Sequence, residues 1–147
     1  DYDTYADGEA ELGWLNAEAD LEGVDLPLDT VAQQIVSRLG DELTQSVLEV
    51  VHLKVLCDGG DAFAVANLVS SESPAELSRS CGQITPKVRV IINARVAADP
   101  AMLADLTDQV LQEIAASHSA ALNRGKFRHF RPGRPQPTHR VSSPPTA

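Results

Sequence analysis

Lys87-Val-Arg-Val-Ile-Ile-Asn-Ala-Arg-Val96 decides the fold. Val88, Val90, Ile92, Ala94 and Val96 fall on one face of an extended chain, and Lys87, Arg89, Ile91, Asn93 and Arg95 on the other. Alternation with period two over ten residues is the signature of a strand with one buried and one wetter face. A helix follows at once: Asp99-Pro100 offers an N-cap and a proline at the first helical position. Leu103, Leu106, Val110, Leu111 and Ile114 then make an apolar stripe, which predicts a helix to about His118.

Working back from this strand, Asp58-Gly59-Gly60-Asp61 is a turn signal between Val47–Asp58 and Ala62–Val69, two runs that read as a β-hairpin. Ala62, Ala64 and Ala66 share a face on which a helix can pack closely. Val31, Ile35, Leu39 and Leu43 recur every four residues and predict a helix opened by Asp29 or Thr30, with Gly40 as a break near its end. Glu9–Leu21 reads as the first strand, with a change of phase at Trp14-Leu15 that a bulge beside Gly13 would produce. Residues 22–28 read as a loop. Ser70–Pro86 reads as an irregular serine-rich loop, with one helical turn at Ser73–Leu77, and a short last strand is expected around Lys126–Phe130. The order is β-α-β-β-β-α-β. Without one meander strand it is the split βαββαβ pattern, so the expected class is α+β: a ferredoxin-like antiparallel sheet with two helices on one face.

The chain has 147 residues, 43% apolar but only 4% aromatic, so its core must be aliphatic. Residues 1–8 read as an acidic leader, 9–130 as a single domain, and 131–147 as an extended tail whose prolines exclude helix and inner strand. The net charge of −9 is unevenly spread: residues 1–29 carry ten acids and no Lys or Arg, whereas residues 124–140 carry six of the twelve basic side chains and no acid. Two cysteines do not make a disulfide framework, and no apolar run has membrane-spanning length. Both point to a reducing, cytoplasmic setting without membrane contact. The chain opens on Asp1 rather than Met, so an upstream segment is allowed for.

Site chemistry is sparse. Gly125-Lys126 lacks the glycine spacing and the following Ser or Thr of a phosphate-binding loop. His52, Cys57, Cys81, His118, His129 and His139 form no recognised ligand pair, so no metal or cofactor is expected. The serines of the long loop have no encoded activating base, and no catalytic residue is assigned. The distinctive feature is the basic strip Arg124, Lys126, Arg128, Arg131, Arg134, His139 and Arg140, with Phe127 and Phe130 interleaved. Such a strip suits acidic residues of a partner or the phosphates of a small ligand. The overall negative charge disfavours nucleic acid. Sheet edges and an open sheet face leave homodimerisation open.

Several segments also resemble the C-terminal region of CobW-related proteins, in the CobW/HypB/UreG group of P-loop GTPases. They are Trp14-Leu15-Asn16 within Glu-Leu-Gly-Trp-Leu-Asn-Ala, His52-Leu-Lys-Val, Ile92-Asn93-Ala94-Arg95-Val96, and Phe130-Arg-Pro-Gly-Arg-Pro-Gln-Pro-Thr-His-Arg140. The resemblance implies an accessory module in metal handling or cobalamin synthesis, with a GTPase domain as its partner. That group's P-loop and metal-binding cysteine motif are absent here, so no catalytic or metal residue carries over. The expectation is a non-catalytic, partner-binding domain, with an anionic small-ligand or phosphate-binding domain as the alternative.

Overall fold

A computed structural model describes residues 12–46 and 48–132. In chain order its elements are β1 (Gly13–Pro27), α1 (Leu28–Gln45), β2 (Val50–Asp58), β3 (Phe63–Leu68), β4 (Glu76–Arg79), β5 (Ile84–Val96), α2 (Pro100–Ser117) and β6 (Ala121–Phe130). The six strands form one sheet in the order β4-β3-β2-β5-β1-β6, and every neighbouring pair is antiparallel. The class is α+β. Both helices lie on one face, and among the described residues the other face is open.

The alternation read in Lys87–Val96 sorts its residues as expected. Val88, Val90, Ile92, Ala94 and Val96 are buried beneath the helices, while Arg89, Asn93 and Arg95 are exposed and Ile91 is half-buried. β5 is the strand between β1 and β2, so its apolar face is the middle of the core. Ala64 and Ala66 of β3 are also buried, and α1 crosses above them. The Asp58–Asp61 turn closes the β2–β3 hairpin: the Gly59 amide donates to the Ala62 carbonyl at 2.9 Å, and Gly60 takes φ +103°. Asp99 caps α2, accepting from the Met102 amide at 3.1 Å.

The structure corrects the sequence reading at five places. Glu76–Arg79 is a fourth strand, β4, where the sequence reads as loop with a helical turn; the described residues hold six strands rather than five. Ala75 and Leu77 pack against the core from this edge, and the Ser78 hydroxyl reaches the Val65 carbonyl at 3.3 Å, pairing an otherwise bare edge of β3. β1 continues through residues 22–27: its register with β5 shifts between Glu22 and Leu26, throwing Val24 outward (83% exposed) while Leu26 returns fully buried. Of the first-strand reading, residues 9–11 lie outside the described residues, and at Trp14-Leu15 the pairing with both β5 and β6 is unbroken, so no bulge sits there. Simple alternation sets Val51, Leu53, Val55 and Cys57 of β2 on one face, but a bulge between Val50 and His52 turns Val50 inward with Leu53 and Val51 to solvent. Finally, α1 starts at Leu28 behind Pro27 and runs unbroken through Gly40. Gly40 is buried there because a Cβ would lie 2.8 Å from the Leu68 side chain; it permits close helix–sheet approach rather than ending the helix.

Asp29, expected as a cap, serves a different joint. Its two carboxylate oxygens accept the backbone amides of Cys81 (2.9 Å) and Gly82 (3.0 Å), fastening the β4–β5 connection to the start of α1. The Cys81 amide is the main cause that holds the Asp29 pKa below its ordinary value; partial burial opposes it and the Gly82 amide adds to it. A depressed folded-state pKa gives stability that is present above the ordinary value of 3.8 and lost as pH falls through the folded value. Asp29→Asn should therefore lose about 1 kcal/mol at neutral pH, a modest figure because the site is largely solvated. Urea melts at pH 7 and pH 3 check the sign: the gap between parent and variant should close in acid, and a gap that widens there rules the linkage out.

Candidate functional site

The open face is assembled row by row across the strands. Backbone register sets Phe130, Trp14, Arg95 and His52 in one row. The next row holds Arg128, Asn16, Asn93, Lys54 and Asn67. Beyond it stand Glu18, Ile91, Leu56 and Val65, then Asp20, Arg89, Asp58 and Phe63. Asparagine, Glu and Lys at the outward positions of interior strands leave this face wet, since such groups are costly to bury.

A bulge in β6 decides where the basic strip points. The β1–β6 register shifts between Ala17 and Ala19, so Phe127 lies opposite Ala17 and Arg124 opposite Ala19. Gly125 sits in the shift, where a Cβ would stand 3.2 Å from the Glu18 carbonyl oxygen. As a result the predicted strip is divided. Arg124 turns to the helix side and is ion-paired with Asp108 of α2; its Nη2 lies 3.1 Å from Asp108 Oδ2. This hydrogen bond is the main cause lowering the Asp108 pKa. Lys126 and Arg128 stand on the open face, where they line a groove of about 290 Å³ with Asn16, Glu18, Ile91 and Asn93. Arg131 lies 3.5 Å from Asp99. Arg134, His139 and Arg140 lie outside the described residues, as does the acidic leader.

Charge on the open face is partitioned. Toward the Asp58 turn it is self-neutralised: Lys87 pairs with Glu22 at 3.8 Å, and Arg89 with Asp20 at 3.1 Å and Glu18 at 3.9 Å. At the Trp14 end, Lys54, Arg95, Lys126 and Arg128 have no carboxylate partner among the described residues. The Arg95 guanidinium lies over the Trp14 ring at 5.2 Å, and Trp14 meets Phe130 at 5.6 Å with planes tilted by 45°. His52 senses the same environment: burial first, then the Arg95 and Lys54 cations, lower its pKa.

The other sequence candidates are placed elsewhere. Cys57 is fully buried under α1, and burial pushes its thiol up to about 12, which makes it a poor nucleophile. Cys81 is a free thiol in the β4–β5 connection. The His118 ring bonds Gln34 at 2.8 Å, joining the two helices. Among the described residues no group of three or more His, Cys, Asp or Glu gathers around a common point. The loop serines support the fold: the Ser71 hydroxyl accepts the Val50 amide at 2.8 Å, and Ser70 and Ser73 bond each other at 2.9 Å. No helix among the described residues is long and apolar enough to cross a membrane.

Sequence reasoning singled out Lys126 and Arg128 but missed Asn16, Lys54, Asn93 and Arg95 as their neighbours. The signal was present as the outward phase of three strands. What was lacking was the register that sets those phases side by side. Compared with protein-family models, curated proteins and solved structures, the chain matches none of them.

Proposed function

We propose that this chain is a non-catalytic, partner-binding accessory domain whose docking surface is the Trp14 end of the open sheet face. The observation that carries the reading is the group of four cations, Lys54, Arg95, Lys126 and Arg128, left without carboxylate partners among the described residues, beside the half-buried Trp14 and the exposed Phe130. Uncompensated charge on a preformed sheet suits an acidic surface, and an Arg–aromatic cluster is the usual anchor of an interface. A second copy docked with the two Trp14 ends together is a poorer occupant, because that two-fold contact would set the cations of one copy against those of the other.

The sequence resemblance suggests the partner: the GTPase domain of a CobW-related protein, in metal handling or cobalamin assembly in the cytoplasm. The strands β2-β5-β1-β6 with their two helices support a ferredoxin-like reading of the core, the β3–β4 pair being an extension at one edge. Fold alone does not assign the role. The alternative, an anionic small-ligand domain, draws on the groove beside Lys126 and Arg128.

Binding to such a GTPase domain, measured at low and high salt, tests the proposal. The double variant Lys126→Glu/Arg128→Glu should weaken binding about 30-fold or more at low salt, and the loss should shrink as salt rises. A shortened chain ending at Pro132 separates the contribution of Arg134, His139 and Arg140. Binding unchanged by the charge reversal, or indifferent to salt, would refute the docking surface.

A further inference from the structure

The groove at the β6 bulge is built with more specificity than a general basic patch needs. Lys126 and Arg128, two residues apart on β6, project from the same face by strand alternation, and the register shift at Gly125 turns Arg124 to the other face. Asn16 and Asn93 lie opposite each other across β1 and β5, and neither side-chain amide has a hydrogen-bond partner among the described residues. Phe130, 41% exposed, stands one row further on, about 6.8 Å away by strand geometry, with Trp14 behind it. Glu18 also lines the groove, and Arg89 at 3.9 Å offsets its charge. Along β6 the two cations lead to the exposed ring of Phe130, and the two free amides flank Arg128 on β1 and β5, an arrangement that offers a phosphate site, a planar ring and a polar edge between strands.

We infer that this groove binds a nucleoside monophosphate. The phosphate lies between Lys126 and Arg128, Asn16 and Asn93 hydrogen-bond the polar edge of the nucleoside, and the base stacks on Phe130. The inference rests on the reading of the open face as an anion-binding surface and names one ligand class for it. The groove of about 290 Å³ takes the phosphate and sugar, and Phe130 stands beside it, in the row beyond Arg128, where the base stacks. A longer strand is disfavoured, because a chain of net charge −9 repels a polyanion beyond the groove. Arginine and lysine held beside an aromatic ring is the combination that retains a stacked, phosphorylated base.

Trp14 is the only tryptophan, so its fluorescence reports on this site alone. The full chain is titrated at low salt with GMP, AMP, guanosine and inorganic phosphate, and separately with an oligoglutamate peptide. Saturable quenching by GMP or AMP is expected, with phosphate competing and guanosine much weaker. Lys126→Ala and Arg128→Ala should each weaken it about ten-fold. Lys87→Ala, on the same face but tied to Glu22, should leave it unchanged. Circular dichroism confirms that each variant is folded. Absence of saturable quenching to several millimolar, or quenching indifferent to Lys126 and Arg128, overturns the inference. Response to oligoglutamate without response to nucleotide also overturns it, while leaving the protein-docking reading standing. Failure of both probes together with failure of partner binding removes both.

Discussion

Gly13→Ala is expected to lower the melting temperature by about 10 °C, through an overpacking cost of about 3 kcal/mol. The first residue of β1 passes so close to the β5–α2 connection that a Cβ would stand 2.3 Å from the Ala98 carbonyl oxygen and 3.2 Å from the Pro100 nitrogen. Both are backbone atoms, so no side chain can swing aside. Pro100 opens α2, so the strain would reach both the sheet and the helix docked on it. Gly23→Ala is the control. Its nearest neighbours are side-chain atoms, Leu26 Cδ2 at 3.3 Å and Ala120 Cβ at 3.4 Å, and it should cost far less. A Gly13→Ala protein melting within about 2 °C of the parent would mean that the approach relaxes without strain.

Ile92→Ala is expected to cost about 3–4 kcal/mol, whereas Ile91→Ala one residue away should cost about 1 kcal/mol or less. Ile92 is 1% exposed at the centre of the sheet, and truncation there leaves a cavity that β1, β2 and the helices cannot easily collapse. Ile91 points to the open face and is half-buried. The same chemical change on adjacent residues thus measures the difference between the two faces. Denaturant melts of both variants check it. Equal losses would mean that the face bearing Ile91 is also covered in solution, for instance by a bound copy or by another part of the chain.

The contrast explains what could be read from residue order alone. β5, α2 and the β2–β3 hairpin each announce themselves, by strict alternation, by Asp99-Pro100 and by the glycine pair Gly59-Gly60. In each case the local signal and the tertiary environment agree. β4 gave no such signal, because Glu76, Ser78 and Arg79 are all exposed at the sheet edge and only Leu77 is partly covered. A strand held chiefly by its neighbour's backbone leaves little trace in hydrophobic pattern. Gly13 and Gly40 were read as irregularities of their own segments, yet each answers to a distant contact, Ala98 or Leu68. The candidate site was half legible. A run of cations in β6 is visible in the sequence, but its division into Arg124 on one side and Lys126 with Arg128 on the other depends on where one extra residue is accommodated. The contribution of Lys54 and Arg95 depends on strands distant in sequence lying side by side.

The two faces of the sandwich carry opposite excesses. α1 and α2 hold six acidic side chains and a single basic one, Arg38, while seven of the ten described Lys and Arg project from the open face of the sheet against five carboxylates there, Glu18, Asp20, Glu22, Asp58 and Glu76. The described residues therefore form an electric dipole set across the thickness of the sheet and its helices, and a sequence pI of about 4.7 describes only the sum. In the field of an approaching anion such a body experiences a torque before it experiences contact. Rotation presents the sheet and withdraws the helices, so that a larger share of random encounters begins in the productive orientation.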